Sequence, residues 1–346
     1  MNFHSEKMKE TMQGSVLISV IWILSVLVIF TVAINRQASQ SLMMGKWMKE
    51  RIMARIFANA GVERALFEIQ NDGFLTFDAL NESWGNNPEA FQEISMGEEG
   101  YFSVVCPLSD AVSEEDFRYG ICDESGRINV NTASEQVLYN LLFLVDETMA
   151  ERRAQAIAQS IIDWRDPDDA VMEHGAEGMF YNALDEPYEP RNAPLEVPEE
   201  LLMIRGIDAS LYQKLEPHVT VFTEEKINFN SASPIVLQAL GMSPELAMKI
   251  VTFRKGEDGI EGTEDDGVFQ IVEGITPALS ASVSFSPEEF AEIANIIAQE
   301  IVTVKSNAFR IRSFGRLIRN DTVIETGIVC VVERTGKVLY WRETGG

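Results

Sequence analysis

The stretch GRINVNTASEQVLYNLL, residues 126 to 142, returns further along the chain as EKINFNSASPIVLQALG, residues 225 to 241. At an offset of 99 the copies share Ile128/Ile227, Asn129/Asn228, Asn131/Asn230, Ala133/Ala232, Ser134/Ser233, Val137/Val236 and Leu138/Leu237, and Thr132/Ser231 exchanges one hydroxyl for another. In each copy an Asn-x-Asn pair leads through a hydroxyl residue, an alanine and a serine into apolar residues spaced three and four apart. Thr132/Ser231 or Ser134/Ser233 can cap a helix by accepting its free N–H groups, and the asparagine side chains can tie the preceding turn. Pro234 suits a first helical position. The repeat reads as two capped helix entries, each opening a helix pair.

Outward from these corners, residues 127–300 keep a helical pattern, as in SEQVLYNLLFLV, AERRAQAIAQSIIDW, ASLYQKLEPHV, SPELAMKIVTFR and SPEEFAEIANIIAQE. Strand patterns flank them. YFSVVC and FRYGIC read as an antiparallel hairpin across an acidic turn, and FRIRSFGRLI, VIETGIVCVVER and GKVLYWRE close the chain. A sheet that starts before residue 125 and resumes after 300 encloses a helical insertion. The fold class is therefore α+β, with a sheet domain at 71–126 and 301–346 and an inserted helical domain at 127–300.

The 346 residues carry 28 Lys plus Arg against 54 Asp plus Glu, a formal net charge of -26 that opposes polyanions and favours divalent cations. Cys106, Cys122 and Cys330 form no CxxC pair, which excludes the common zinc frameworks. Cys106 and Cys122 can pair in an oxidising compartment or stand as buried free thiols. His4, His174 and His218 have no Cys or Ser partner in a recognisable motif, and neither a P-loop nor GxSxG occurs. The sequence points away from an enzyme.

Residues 15 to 34, SVLISVIWILSVLVIFTVAI, contain no charge. At ~1.5 Å per residue they span a ~30 Å hydrocarbon core as a helix. The following NRQASQSLMMGKWMKERIMARIFANAGVERALFEIQ lacks proline and places Trp47, Met48, Ile52, Ile56, Ala60 and Leu66 near helical spacing, so the helix continues through 35–70. Gly14, directly before the uncharged run, resembles the class III signal of type IV pilins and pseudopilins. That resemblance implies a leader at 1–14 cut by a prepilin peptidase between Gly14 and Ser15, with methylation of the new N-terminus. It also implies a single-pass inner-membrane anchor with the C-terminal part in the periplasm. The fifth residue of the processed chain is then Ser19, where most members carry a glutamate thought to meet a neighbour's terminal amine. A subunit without that carboxylate suits the end of a filament. Ser15 departs from the family's aromatic first residue, and Glu6 and Glu10 offset Lys7 and Lys9 in the leader.

GRINVNTAS, IIDWRDPDDAVMEHGAEGMFY, PYEPRNAPLEVPEELLMIRGI and KINFNSAS, in that order inside a pilin-like frame, resemble the minor pseudopilin K family of type II secretion systems. The likeness runs from the Gly14 signal to VLYWRE and is most specific from Asp163 to Tyr181 and at the two corners. It implies a long N-terminal helix packed on an antiparallel sheet, with a helix-hairpin-helix or SAM-like domain between strands. It also implies a place at the pseudopilus tip, helping to initiate assembly for protein export, in company with I-like and J-like minor pseudopilins. The competing reading comes from INFNSASPIVLQALGMSPELAMKIVTFR, which resembles helix-hairpin-helix units with a hairpin at Gly241 to Pro244; LLMIRGIDASLYQKL is a weaker copy around Gly206. Such units in a membrane-anchored protein suggest a DNA receptor of the competence type. Between 126 and 300, however, 11 Lys plus Arg face 32 Asp plus Glu, and Glu245 and Asp208 sit where phosphate would approach, so no nucleic acid is expected.

DWRDPDDAVMEHGAE gathers Asp163, Asp166, Asp168, Asp169, Glu173 and Glu177 around Pro167 and Gly175. Carboxylates this dense repel one another unless a cation bridges them, and oxygen-only ligands suit Ca²⁺; the alternative is a solvated acidic loop. The family resemblance implies calcium in the helical domain, with Asp166, Asp168, Asp169 and Glu177 as its ligands. GEDGIEGTEDDG, with Asp258, Glu261, Asp265 and Asp266, is a second candidate that does not match the EF-hand loop.

Overall fold

The computed structural model describes residues 3–73, 76–97, 100–108, 116–319 and 322–345, with side chains from residue 16 onward. The chain divides into two compact units, one ending at Met53 and one beginning at Ala54. Helix α1, Phe3–Gln70, starts in the first unit and ends in the second. It begins ahead of the expected leader boundary, and the side chains of Gly14 and Ser15 lie outside those described.

In the first unit the apolar residues from Val16 to Ile34 are exposed, and an 18-residue window reaches a mean hydropathy of 2.9. This helix is long and apolar enough to cross a membrane. Two of its hydroxyls are satisfied within the helix, Ser25 Oγ donating to the Ile21 carbonyl and Thr31 Oγ1 to that of Leu27, each at 2.8 Å. Past the apolar run, Lys46 pairs with Glu50 at 3.7 Å and Arg51 stacks over Trp47.

In the second unit, Ala54, Phe57, Ala58, Val62, Ala65 and Ile69 recur at helical spacing and are all buried. They face a sheet so close that a side chain on Gly61 would place its Cβ 2.1 Å from Ser313 Oγ. The contact is also polar, because Ser313 Oγ donates to the Ala58 carbonyl at 2.8 Å. The chain continues through the short helix α2, Pro88–Phe91, and strands β1, Ile94–Ser95, β2, Gly100–Pro107, β3, Phe117–Tyr119, and β4, Cys122–Asp123. The expected hairpin forms, β2 pairing antiparallel with β3. A disulfide joins Cys106 to Cys122, with Cα atoms 5.3 Å apart, and Cys330 is a buried free thiol.

The inserted helical region follows. Strand β5, Ile128–Asn129, helices α3, Glu135–Val145, α4, Glu151–Arg165, α5, Gly178–Tyr181, and α6, Ala209–Leu215, and strand β6, Val219–Thr220, make the first half. Strand β7, Ile227–Asn228, helices α7, Pro234–Ala239, α8, Pro244–Arg254, α9, Ile275–Ser282, and α10, Pro287–Ala298, and strand β8, Val302–Thr303, make the second. Each half closes on itself, since β5 pairs in parallel with β6 and β7 with β8. Strands β9, Ala308–Arg319, β10, Thr322–Glu333, and β11, Val338–Thr344, then complete an antiparallel sheet ordered β1-β2-β9-β10-β11, with β4 also on β9. This is a long N-terminal helix on an antiparallel sheet with a large helical region inserted between strands.

The turn, clamp and cap of the doubled corner recur in both copies. Asn129 Oδ1 accepts from Asn131 N at 2.8 Å, and Asn228 Oδ1 from Asn230 N at 3.0 Å. The second asparagine of each pair then clamps a returning loop through both ends of its amide. Asn131 donates to the Leu195 carbonyl and accepts from Leu195 N, while Asn230 does the same with Phe269. Of the two capping options, the serines are used: Ser134 and Ser233 accept from Val137 N and Val236 N. The hydroxyl two residues earlier differs, because Ser231 Oγ reaches the Asp123 carboxylate. Asn140 of α3 donates to the Ala239 carbonyl of α7 at 3.0 Å, joining the halves at equivalent positions.

The region hangs from the sheet by adjacent stems. Glu124 N donates to the Ala308 carbonyl at 3.1 Å, and Ser125 and Asn307 bond through their side chains at 3.0 Å. Buried Asp123 accepts from Ser125 N, Asn228 Nδ2, Ser231 Oγ and Ser306 Oγ. Buried Glu124 is gripped by Arg310 through both carboxylate oxygens, at 2.9 and 2.7 Å.

Candidate metal centre

Helix α4 carries the first acidic cluster because its C-terminus is nailed to the first corner. Arg165 donates to the carbonyls of Val130 and Ala133, the latter at 2.7 Å. Two residues back, Asp163 is fully buried and accepts weakly from Met172 N at 3.3 Å. Asp166 is the residue that ends the helix, with Pro167 behind it. The chain then doubles back so tightly that a Cβ on Gly175 would lie 1.9 Å from Asp163 Oδ2, and Glu177 arrives beside the two aspartates. Behind them Trp164 packs edge-on against Tyr181 at 5.2 Å, which closes one side with apolar surface.

One carboxylate oxygen each from Asp163, Asp166 and Glu177 falls within 4.8 Å of the other two. Glu177 is 4% exposed, and both of its oxygens, together with Asp166 Oδ1, are buried without a hydrogen-bond partner. Burial, reinforced by Asp163, Asp166 and Asp169, pushes the Glu177 carboxyl up to about 7. Burial likewise raises Asp163 and Asp166. Buried carboxylates that lack donors are costly to ionise unless a cation neutralises them. The donor set is oxygen only, so the residues present fit a hard divalent ion.

The expected ligands divide. Asp166 and Glu177 meet, joined by Asp163, whereas Asp168 Oδ1 accepts from Ala170 N at 2.8 Å and Asp169 Oδ1 from Asn192 Nδ2 at 2.9 Å. Glu173 is exposed. The second acidic loop uses its carboxylates to hold its own backbone. Asp265 Oδ2 accepts from the amides of Glu257 and Asp258, Asp266 Oδ2 from Gly262 N, and Asp258 Oδ1 from Ile260 N. Glu261 is paired with Arg254, which in turn holds the second corner through the Phe229 and Ala232 carbonyls. Among the described residues a second group that can coordinate a metal ion is Asp72, Asp78 and Glu82, which the sequence pattern had not marked. Burial pushes Asp78 up to about 6 and Glu82 up to about 7. Ser19 lies on the exposed surface of α1.

Residues 116–224, which hold the first corner and the Asp163 cluster, match the family model described as type II secretion system protein K. Curated relatives agree. A putative type II secretion system protein K of Escherichia coli K12 is 38% identical over 89 residues, 25% of this chain and 27% of that one. The type II secretion system protein K of Pectobacterium carotovorum is 25% identical over 234 residues, covering 64% of this chain and 67% of the relative. Over these residues the chain is similar to the type II secretion system protein K family. The first curated relatives of the family are matched over only about a quarter of their length. The fold extends the likeness further. A chain in the crystal structure of the GspK-GspI-GspJ complex from enterotoxigenic Escherichia coli superposes with a TM-score of 0.57 at 19% identity, over 90% of this chain and 100% of that one.

Proposed function

We propose that this chain is a minor pseudopilin that caps the type II secretion pseudopilus and helps initiate its assembly. The observation that carries the reading is the insertion of a large helical region into a pilin-like helix-on-sheet frame, which widens one subunit beyond what a repeating shaft admits. It is a structural subunit, not an enzyme, and its partners are I-like and J-like minor pseudopilins. That choice is supported by the structural relative, which was crystallised within a GspK-GspI-GspJ complex.

In this reading a prepilin peptidase cuts between Gly14 and Ser15, and the new N-terminus is methylated. Ser19 offers no carboxylate to a subunit above, consistent with a terminal position, because an unpaired charge in lipid is costly. The apolar part of α1 anchors the chain once in the inner membrane, with the C-terminal domain in the periplasm. The Cys106–Cys122 disulfide supports an oxidising compartment. Calcium is held in the helical region by Asp166 and Glu177 together with Asp163, with Asp168 and Asp169 adding charge from the same loop. The acidic surface gives no support to a DNA receptor.

The test is affinity capture of the full-length chain from membranes that also contain the I-like and J-like subunits. Both are expected to co-purify in fixed proportion. Recovery of the chain with neither, under conditions in which the two capture each other, refutes the assignment.

A further inference from the structure

A second acidic cluster lies where α1 gives way to the segment that leads into the sheet, remote in sequence from the Asp163 loop. One oxygen each of Asp72, Asp78 and Glu82 lies within 4.8 Å of the others. Asp78 and Glu82 are buried, at 4% and 7% exposure. Glu82 Oε2 is committed, accepting from Ala79 N at 2.9 Å and Trp84 Nε1 at 3.0 Å. Glu82 Oε1 is buried and has no hydrogen-bond partner. Beside the cluster opens a cavity of 580 Å³ lined by Asp72, Glu82, Asn81 and Asp266, a path by which a small ion can enter.

One cation already serves the cluster. Arg334 donates to Asp78, to Asp72 at 3.2 Å and to the Ile69 carbonyl at 2.9 Å. Three carboxylates meet beside this guanidinium in a largely buried space. Each carboxylate oxygen has two lone pairs, so Asp78, which accepts from Ser306 N and Arg334, keeps acceptor capacity. The Glu82 oxygen has its full capacity unused. Converging carboxylate oxygens, one of them buried and unpartnered, match a hard divalent cation such as Ca²⁺ or Mg²⁺.

We propose that Asp72, Asp78 and Glu82 bind a divalent cation, independently of the Asp163 site, and that the ion fixes the base of the inserted helical region. The coupling is direct. Asp78 Oδ2 accepts from Ser306 N at 2.7 Å at the region's exit, and the Asp78 carbonyl accepts from Asn228 Nδ2 at 3.0 Å at the second corner. An ion that pins Asp78 to the end of α1 therefore pins both.

The test is equilibrium dialysis of radiolabelled calcium against full-length protein in detergent, stripped first with chelator. Glu82→Gln and Asp72→Asn are each expected to bind one equivalent fewer than wild type, and Glu177→Gln to lose a different one, so that Glu82→Gln with Glu177→Gln loses two. Asp72→Asn keeps an acceptor for Arg334 and decides the matter should Glu82→Gln not fold. A folded Asp72→Asn or Glu82→Gln protein that retains the wild-type stoichiometry at millimolar calcium overturns the proposal, whatever happens at Glu177.

Discussion

Replacing Asn230 with alanine tests whether the corner clamp holds the helical region together. Asn230 is 3% exposed and Phe269 1%, and the asparagine amide both donates to and accepts from the Phe269 backbone, each at 2.9 Å. Alanine removes both bonds and leaves a buried N–H and a buried C=O unpaired. Each orphan costs ~1–3 kcal/mol, so the substitution is expected to destabilise by roughly 3–4 kcal/mol once partial relaxation is allowed. Asn131→Ala breaks the equivalent clamp on Leu195, but Asn131 is only half-buried and water can replace part of the loss, for about 2 kcal/mol. At ~2–4 °C per kcal/mol for a domain of this size, Asn230→Ala melts several degrees below Asn131→Ala. The assay is thermal unfolding followed by near-ultraviolet circular dichroism. Asn230→Asp adds a signature: its carboxylate faces the Phe269 carbonyl at neutral pH and regains a donor when protonated, so this variant should recover stability on acidification. An Asn230→Ala protein within ~1 kcal/mol of wild type, or one more stable than Asn131→Ala, refutes the reasoning.

Replacing Cys106 and Cys122 by serine opens a loop of 16 residues' separation and should cost about 3 kcal/mol, read as a lower denaturation midpoint that reductant no longer alters. Burial pushes His218 down to about 4, so its ring stays neutral in the folded state while the unfolded chain protonates near 6.5. Its contribution is therefore lost as pH falls from 6.5 towards 4, by ~3 kcal/mol in all, and His218→Gln should flatten that part of the stability profile relative to wild type. Calcium at a hundredfold excess over its Kd should stabilise wild type by ~2.7 kcal/mol per site. Glu177→Gln should remove most of the shift belonging to the Asp163 site, and Asp168→Asn with Asp169→Asn should reduce it less; equal effects would contradict the geometry.

The corners were legible because their chemistry is local: an asparagine reaching two residues ahead and a serine capping three ahead need no tertiary information. What lay beyond was not. Arg165 and Arg254 lock the two corners in the same way, yet they stand 89 residues apart and so fall out of an alignment at 99. The signal that finds them is an aromatic-arginine pair, Trp164–Arg165 and Phe253–Arg254, at the end of the second helix of each half. Asp72, Asp78 and Glu82 meet beside Arg334, which pairs with the two aspartates from over 250 residues away in the chain, and no pattern within 71–97 signals it. The acidic loops were visible as composition, but which carboxylates converge depended on backbone turns: Gly175 admits Asp163 and Glu177 to one space, while Asp265 and Asp266 are consumed by nearby amides. Pairing of Cys106 with Cys122 likewise required β3 to fold back on β2.

The closeness of the two stems has a consequence for how such a protein varies. Glu124 bonds to Ala308 and Ser125 to Asn307. To the sheet, then, everything between those residues is geometrically a tight turn, however many residues it holds. Lengthening a surface connection is thermodynamically mild, since closure entropy grows only with the logarithm of length. A graft at this seam can therefore be swapped, enlarged or trimmed to a few residues without rethreading β4 or β9, leaving the inserted region free to diverge while the helix-on-sheet frame stays the same.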